Sequence, residues 1–159
     1  MTVIVYRDGV MAADSQVVNN EGLITGAVVK LVRRADGWIA GLAGHAGDVE
    51  GFRQWFLAGE PDGWQAADKD HGFAALMISP EGMVRMFDEK GRGYTVEAPF
   101  YARGAGAEIA FGALAMGARA DQAVEIACRF SVWCGGAVQI ERLEDGRVQA
   151  LRQPVIQVA

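Results

Sequence analysis

Met1-Thr2-Val3-Ile4-Val5-Tyr6-Arg7-Asp8-Gly9-Val10-Met11-Ala12-Ala13-Asp14-Ser15-Gln16 opens the chain, and the way this stretch turns back on itself decides the rest. Residues 3–6 are a β-rich run, Asp8-Gly9 is a hairpin turn signal, and residues 10–13 return as a second strand. A tight hairpin brings the end of its second strand beside the start of its first, so Asp14 is expected close to Thr2. Methionine ahead of a small residue is normally trimmed, which makes Thr2 the expected amino terminus. That residue then carries a hydroxyl nucleophile together with an α-amine that titrates at about pH 8 and, when neutral, accepts the hydroxyl proton directly or through a water. Threonine in second position means nothing in most chains.

Lys30 shifts that balance. It stands in Ala27-Val28-Val29-Lys30-Leu31-Val32, an apolar context read as a strand over 27–32, just ahead of Arg33-Arg34. A lysine in a buried strand needs a carboxylate partner, and Asp14 is the candidate. From the residues alone two readings stay open: a pair that assists Thr2, or a buried pair that only joins two strands.

Composition narrows the class. The 159 residues suit one domain, 1–159, with a sizeable core. A hydrophobic fraction of 51% with 21 glycines and 4 prolines fits a sheet-rich, tightly packed interior. No apolar run approaches the roughly 18 residues that span a bilayer, and the start lacks the basic and apolar regions of a signal peptide, so a cytoplasmic location and no membrane association are expected. The net charge of −5 is scattered and Arg33-Arg34 is the one clear basic pair, which argues against nucleic acid as a partner. Cys128 and Cys134 form no CxxC pair and have no histidine beside them, so a zinc site is not expected. His71 reads as an ordinary surface or core histidine.

Along the chain, Asn19-Asn20-Glu21-Gly22 is the turn of a two-stranded excursion over 17–26. Residues 38–43 form a strand that ends at Gly44. Val49, Phe52, Trp55 and Phe56 then mark one face of a helix that Gly59-Glu60-Pro61 stops. Strands follow at 73–79, 83–88, 94–96 and 100–103. A small-residue helix over 107–116 uses Ile109, Phe111, Ala113, Leu114 and Ala115, and Gly117 ends it. Asp121 sits in the first turn of the next helix, with Ala123, Val124, Ile126, Ala127 and Phe130 as its apolar face. Two more strands, 137–143 and 147–151, flank Glu144-Asp145-Gly146, and the tail to Ala159 adds an edge strand. Two antiparallel sheets packed face to face with helices outside accommodate this order, as one of several α+β solutions.

Thr2-Val3-Ile4-Val5, Ala12-Ala13-Asp14-Ser15-Gln16, Lys30-Leu31-Val32-Arg33-Arg34, Ala40-Gly41-Leu42-Ala43-Gly44 with Ala46-Gly47-Asp48, and Tyr101-Ala102-Arg103-Gly104-Ala105-Gly106-Ala107-Glu108 occur in that order. The ordered set resembles the proteasome β-type family, in particular the bacterial HslV peptidases and their shorter prophage-encoded relatives. The resemblance implies the four-layer αββα sandwich of N-terminal nucleophile hydrolases and a threonine-type peptidase that acts on polypeptides. It assigns Thr2 as nucleophile, Lys30 as the neighbouring cation, Asp14 as the group that orients Lys30, and the Gly44 N–H as oxyanion donor. Leu42, Ala46 and Val28 match positions that shape a small to medium apolar specificity pocket, and Val17 and Val18 match the strand that pairs with an extended peptide. Cys128, Ser131 and Cys134 match a loop whose backbone carbonyls can hold Na+ or K+; no cofactor is required.

In the same family the active chamber is enclosed by a homo-oligomeric ring assembly, a dodecamer of two hexamers, fed by a separate AAA+ unfoldase. This chain has no phosphate-binding Gly-x-x-x-x-Gly-Lys motif of its own. Two departures stand out. The long helix that HslV carries after the first one is missing over 64–72, and Ala105 replaces the serine of the usual Gly-Ser-Gly turn, which removes one polar partner of the amino group. Two alternatives follow: an amidase or acylase of small amides, since fold does not dictate substrate, or a catalytically silent homologue.

Overall fold

The computed structural model describes residues 1–61, 63–67 and 72–144. The chain opens with β1 (Val3–Arg7) and β2 (Val10–Ala13), joined through Asp8 at φ 48° and Gly9 at φ 76°. Positive φ at both central residues is the type I′ geometry that matches strand twist, which is why Asp-Gly stands here. The pairing runs from Arg7↔Val10 to Ile4↔Ala13, so Asp14 emerges beside the start of β1. β3 (Gln16–Val18) and β4 (Ile24–Ala27) form a separate two-stranded ribbon. The Asn19 side chain closes its turn by accepting the Glu21 and Leu23 N–H groups.

The strand expected over 27–32 is two elements. β4 ends at Ala27, residues 28–30 belong to no strand, and β5 (Leu31–Arg33) starts after Lys30. The chain passes from one sheet to another at this break, so its apolar residues serve two different pairings. β6 (Ile39–Ala43), β7 (Ala74–Ile78), β8 (Val84–Asp88) and β9 (Gly93–Val96) complete a five-stranded sheet in the order β5-β6-β7-β8-β9. β10 (Phe100–Gly104) and β11 (Gln139–Arg142) flank the first hairpin in the order β10-β1-β2-β11. All these pairings are antiparallel.

Three helices complete the α+β fold: α1 (Ala46–Leu57), α2 (Ala107–Ala115) and α3 (Ala120–Phe130). Ile4, Tyr6, Met11 and Ala13 meet Leu31, Ile39, Leu76, Ile78 and Met86 between the two larger sheets. On the reverse of the hairpin, Val3, Val5 and Ala12 pack on Ala110, Leu114, Ala123, Val124 and Ala127 of α2 and α3. On the reverse of the five-stranded sheet, Ala40, Leu42, Ala75 and Met77 pack on Phe52 and Phe56 of α1. Central strands are thus covered on both faces, and this is why they read as unbroken apolar runs without alternation.

Phe56 and Phe52 lie on the expected face of α1, while the outer helices differ from expectation. On α2 only Ala110 and Leu114 are buried, and Phe111 is exposed. On α3 the buried set is Ala120, Ala123, Val124 and Ala127, leaving Ile126 partly exposed and Phe130 70% exposed. Small residues let these helices approach the sheet closely, so the large ones are turned outward. Among the described residues no helix stands between α1 and β7; Trp64 instead packs its ring edge-on to Phe52 at 4.9 Å. The strand expected over 147–151, the tail beyond it and His71 lie outside the described residues. No helix among the described residues is long and apolar enough to cross a membrane.

Gly41 lets the two sheets meet, because a Cβ there would collide with Ile4 Cγ2 and lie 3.1 Å from Met11 Sδ. Gly41→Ala should therefore cost about 1–3 kcal/mol, read as a lower urea midpoint at unchanged slope.

Candidate active site

The first β-hairpin and the β4–β5 break converge on one buried cluster. Thr2 (4% exposed) precedes β1, Asp14 (0%) follows β2, and Lys30 (4%) occupies the break. The Asp14 N–H donates to the Val3 carbonyl at 3.2 Å, and the Val3 N–H donates to Asp14 Oδ1 at 3.0 Å, so the carboxylate is fastened one residue from Thr2. Lys30 Nζ lies 2.8 Å from the same Oδ1 and also donates to the Gln16 carbonyl at 2.8 Å and the Met1 carbonyl at 3.2 Å. Thr2 Oγ1 donates to that same Met1 carbonyl at 2.6 Å. The threonine hydroxyl and the lysine ammonium therefore share one acceptor.

Gln16, Gly135 and Gln139 also hold the cluster, and the last two fall in none of the motifs quoted above. Asp14 Oδ2 accepts the Gly135 N–H at 3.1 Å and the Gln16 N–H at 3.3 Å. Gln139, at the start of β11, accepts the Lys30 N–H through Oε1 at 2.8 Å and donates through Nε2 to the Val28 carbonyl at 2.6 Å. Its amide thereby bonds the two backbone groups, the Val28 carbonyl and the Lys30 N–H, that face away from the Ser15 and Leu42 pairings of this segment. Gly135-Gly136 was the available signal: a Cβ on Gly136 would strike Ser15 Oγ. The β10–α2 turn closes the other side, where the Gly106 N–H donates to the Thr2 carbonyl at 3.3 Å. Gly104, at φ 96°, has no room for a Cβ beside that oxygen.

Thr2 and Lys30 open onto a cleft of about 1190 Å³ whose walls include Val17, Val18, Val28, Leu42, Gly44, Ala46 and Ala105. Gly44 turns the chain at φ 149° out of β6 toward α1, and His45 caps that helix by accepting the Gly47 N–H at 3.4 Å. All the residues singled out for nucleophile, cation, oxyanion donor and substrate walls thus border one space, with Asp14 buried beneath it. Ala105 brings no hydroxyl to this wall.

Burial, and next the charge of Lys30, hold the Met1 α-amine below its ordinary value, with Asp14 and Cys134 opposing. Cys128 and Cys134 lie close by, the first in the last turn of α3 and the second behind it with Sγ facing Gly106. Burial and then the Asp14 charge push the Cys128 thiol up to about 11 and raise Cys134 as well. Both stay protonated near neutral pH and are poor nucleophiles. The Ser131 carbonyl accepts the Cys134 N–H at a long 3.5 Å, and Cys128 lies in the last turn of α3, where helix carbonyls lack intrahelical donors.

A buried ion pair is costly to break from one side. Asp14→Ala, which leaves the Lys30 ammonium buried without its carboxylate, should lose about 3–5 kcal/mol of stability. Lys30→Met should also destabilise, and urea denaturation of Asp14→Ala/Lys30→Met should show a loss clearly smaller than the two singles combined.

No family model matches this chain, and no curated protein matches it by sequence. Solved structures do. HslV from Trypanosoma brucei superposes with a TM-score of 0.68 at 21% identity, covering 88% of this chain and 97% of that one. BPH of Thiobacillus denitrificans in complex with epoxomicin gives 0.64 at 20% identity, covering 91% and 100%. A second structure of BPH gives 0.62 at 18%, covering 91% and 98%. The described elements therefore follow the fold that HslV and BPH share.

Proposed function

We propose that this chain is a threonine-type peptidase of the HslV kind, a single domain with the four-layer αββα arrangement of N-terminal nucleophile hydrolases. The observation that carries the reading is the buried Thr2–Lys30–Asp14 cluster at the floor of a cleft in an HslV-like fold. With Met1 removed, Thr2 Oγ attacks the scissile carbonyl carbon and its proton passes to the freed α-amine. The Gly44 N–H faces the oxyanion. The C–N bond then breaks, the departing amine takes the proton, and water hydrolyses the Thr2 ester in a second round. Lys30 lowers the cost of the alkoxide, and Asp14 keeps Lys30 in place. A monovalent cation held by the carbonyls of Cys128, Ser131 and Cys134 would serve as electrostatic support, and no step requires it.

Val28, Leu42 and Ala46 favour a small to medium apolar side chain, and Val17 and Val18 offer an edge for an extended peptide. Polypeptide substrates follow from that edge. A ring assembly, two stacked hexamers served by a separate ATP-dependent unfoldase, is the quaternary reading. It is supported by exposed apolar surface at two places: Phe130 (70%), Val132 (79%) and Trp133 behind α3, and Leu23, Ile24 and Val29 beside the β3–β4 ribbon.

Intact-mass measurement with an epoxyketone tests the mechanism. The chain should be lighter by one methionine and should gain one adduct, while Thr2→Ala gains none. Lys30→Met should slow adduct formation by roughly 10²-fold or more, and Ala105→Ser should accelerate it. A retained Met1, or an adduct that persists in Thr2→Ala, would remove Thr2 from its role.

A further inference from the structure

Arg103 stands in the wall of the Thr2 cleft, and among the described residues its side chain holds no carboxylate. On β10 it pairs with Ile4 of β1, two residues from Thr2. Side chains alternate along both strands: Val3, Val5 and Ala102 face α2 and α3, whereas Ile4, Tyr6 and Tyr101 face the other sheet. Thr2 and Arg103 follow the second parity, so they rise from the same face as diagonal neighbours, a spacing of about 7–8 Å in such pairs. Arg103 lines the cleft together with Thr2, Gly104 and Ala105.

Its guanidinium Nε is fully buried and has no hydrogen-bond partner, and among the described residues the side chain makes no ion pair. Arg33, Arg34 and Arg85, half-buried like Arg103, each hold a carboxylate of Glu141 or Glu60. A guanidinium offers a planar fork of N–H donors that matches a carboxylate in bidentate fashion, and the part of this half-buried side chain that lines the cleft is the part a ligand carboxylate meets. The cleft's own carboxylates do not fill the place. Glu50 is taken by Arg53 and Gln54, and Glu89 lies beyond ion-pair distance of Arg103.

β10 flanks β1 on the side away from β2, whereas Val17 and Val18 continue from β2. A peptide whose acyl part lies along Val17 and Val18 crosses Thr2 and passes its leaving-group part toward β10. We infer that Arg103 is a specificity residue that binds an acidic side chain on the leaving-group side of the scissile bond. This rests on the reading of the Thr2 cleft as a peptide site.

The test uses internally quenched peptides of one sequence carrying Glu or Gln at each of the three positions after the bond cut, with the cut mapped by mass spectrometry. At one position Glu should raise kcat/KM by about tenfold or more over Gln. Arg103→Gln should bring that ratio to one, and Arg103→Glu should transfer the advantage to Lys at the same position, which a misfolded chain could not do. In parallel, Thr2→Ala should bind the Glu peptide more tightly than the Gln peptide, and Thr2→Ala/Arg103→Gln should not. Equal cutting and equal binding of the Glu and Gln peptides would overturn the inference, as would a preference that survives in Arg103→Gln. An Arg103-dependent binding difference with no peptide cut would sustain the acidic subsite and sink the peptidase reading.

Discussion

One buried carboxylate organises this molecule. Asp14, with no exposed surface, accepts four donors: the Val3, Gln16 and Gly135 N–H groups and Lys30 Nζ. Those donors come from β1, β3, the loop behind α3 and the β4–β5 break. The parts of the chain that must meet around Thr2 are therefore joined by two oxygen atoms. An unpaired buried charge costs far more than any of these contacts gains, so the arrangement is close to all-or-none. Removing one donor leaves a charge in a dry interior, and the surrounding elements have no second place to seat it.

That constraint also explains why the first hairpin and the crossing segment look so different. The hairpin is fixed locally by the Asp8-Gly9 turn and by apolar side chains on both faces, which any suitably twisted pair of strands could use. Residues 28–30 lie in no strand and keep backbone pairings only at their ends, where the Val28 N–H donates to the Ser15 carbonyl and the Lys30 carbonyl accepts the Leu42 N–H, both at 2.9 Å. Between those bonds the Gln139 amide, Arg53 donating to the Val29 carbonyl and the Lys30–Asp14 pair hold the segment, so side chains supplement an interrupted ladder. A segment held this way can leave one sheet and enter another while still presenting a lysine at a set depth. Regular strand geometry across residues 27–32 would have placed Lys30 in a ladder, tied to its neighbour's register.

Legibility in the sequence follows the range of the interaction. The hairpin, the Thr2–Asp14 proximity and the α1 face could be read because each is set by turn chemistry or by a period within about a dozen residues. Lys30's partner could be reasoned out because a buried ammonium has few options. The roles of Gly135 and Gln139 could not, since they act across 121 and 109 residues and leave no periodic trace. The faces of α2 and α3 were misread for a different reason. Apolar content there exceeds what one face can bury, and small residues, not Phe111 or Phe130, set the helix-to-sheet distance. Arg103 has no sequence signal of its own, because its orphaned Nε exists only once β10 is in register with β1.

The Met1 carbonyl gives the site its last piece of logic. An ammonium has three N–H donors, and Lys30 uses them on Asp14 Oδ1, the Gln16 carbonyl and the Met1 carbonyl. Thr2 Oγ1 spends its own proton on that third acceptor. Two donors aimed at one carbonyl leave the hydroxyl with no base, because the Thr2 nitrogen is an amide while Met1 is attached. Taking Met1 away removes the shared acceptor and turns that amide into an amine in one step. The third ammonium proton must then find a new acceptor, and the Thr2 hydroxyl, which shared the lost carbonyl with it, is the candidate the proposed mechanism uses. In that mechanism a lysine that donates to this oxygen stabilises the alkoxide, and a neutral amine on the same residue receives the proton. On this count the Asp14 and Gln16 contacts are not incidental. They use up two of three donors and so direct the remaining one.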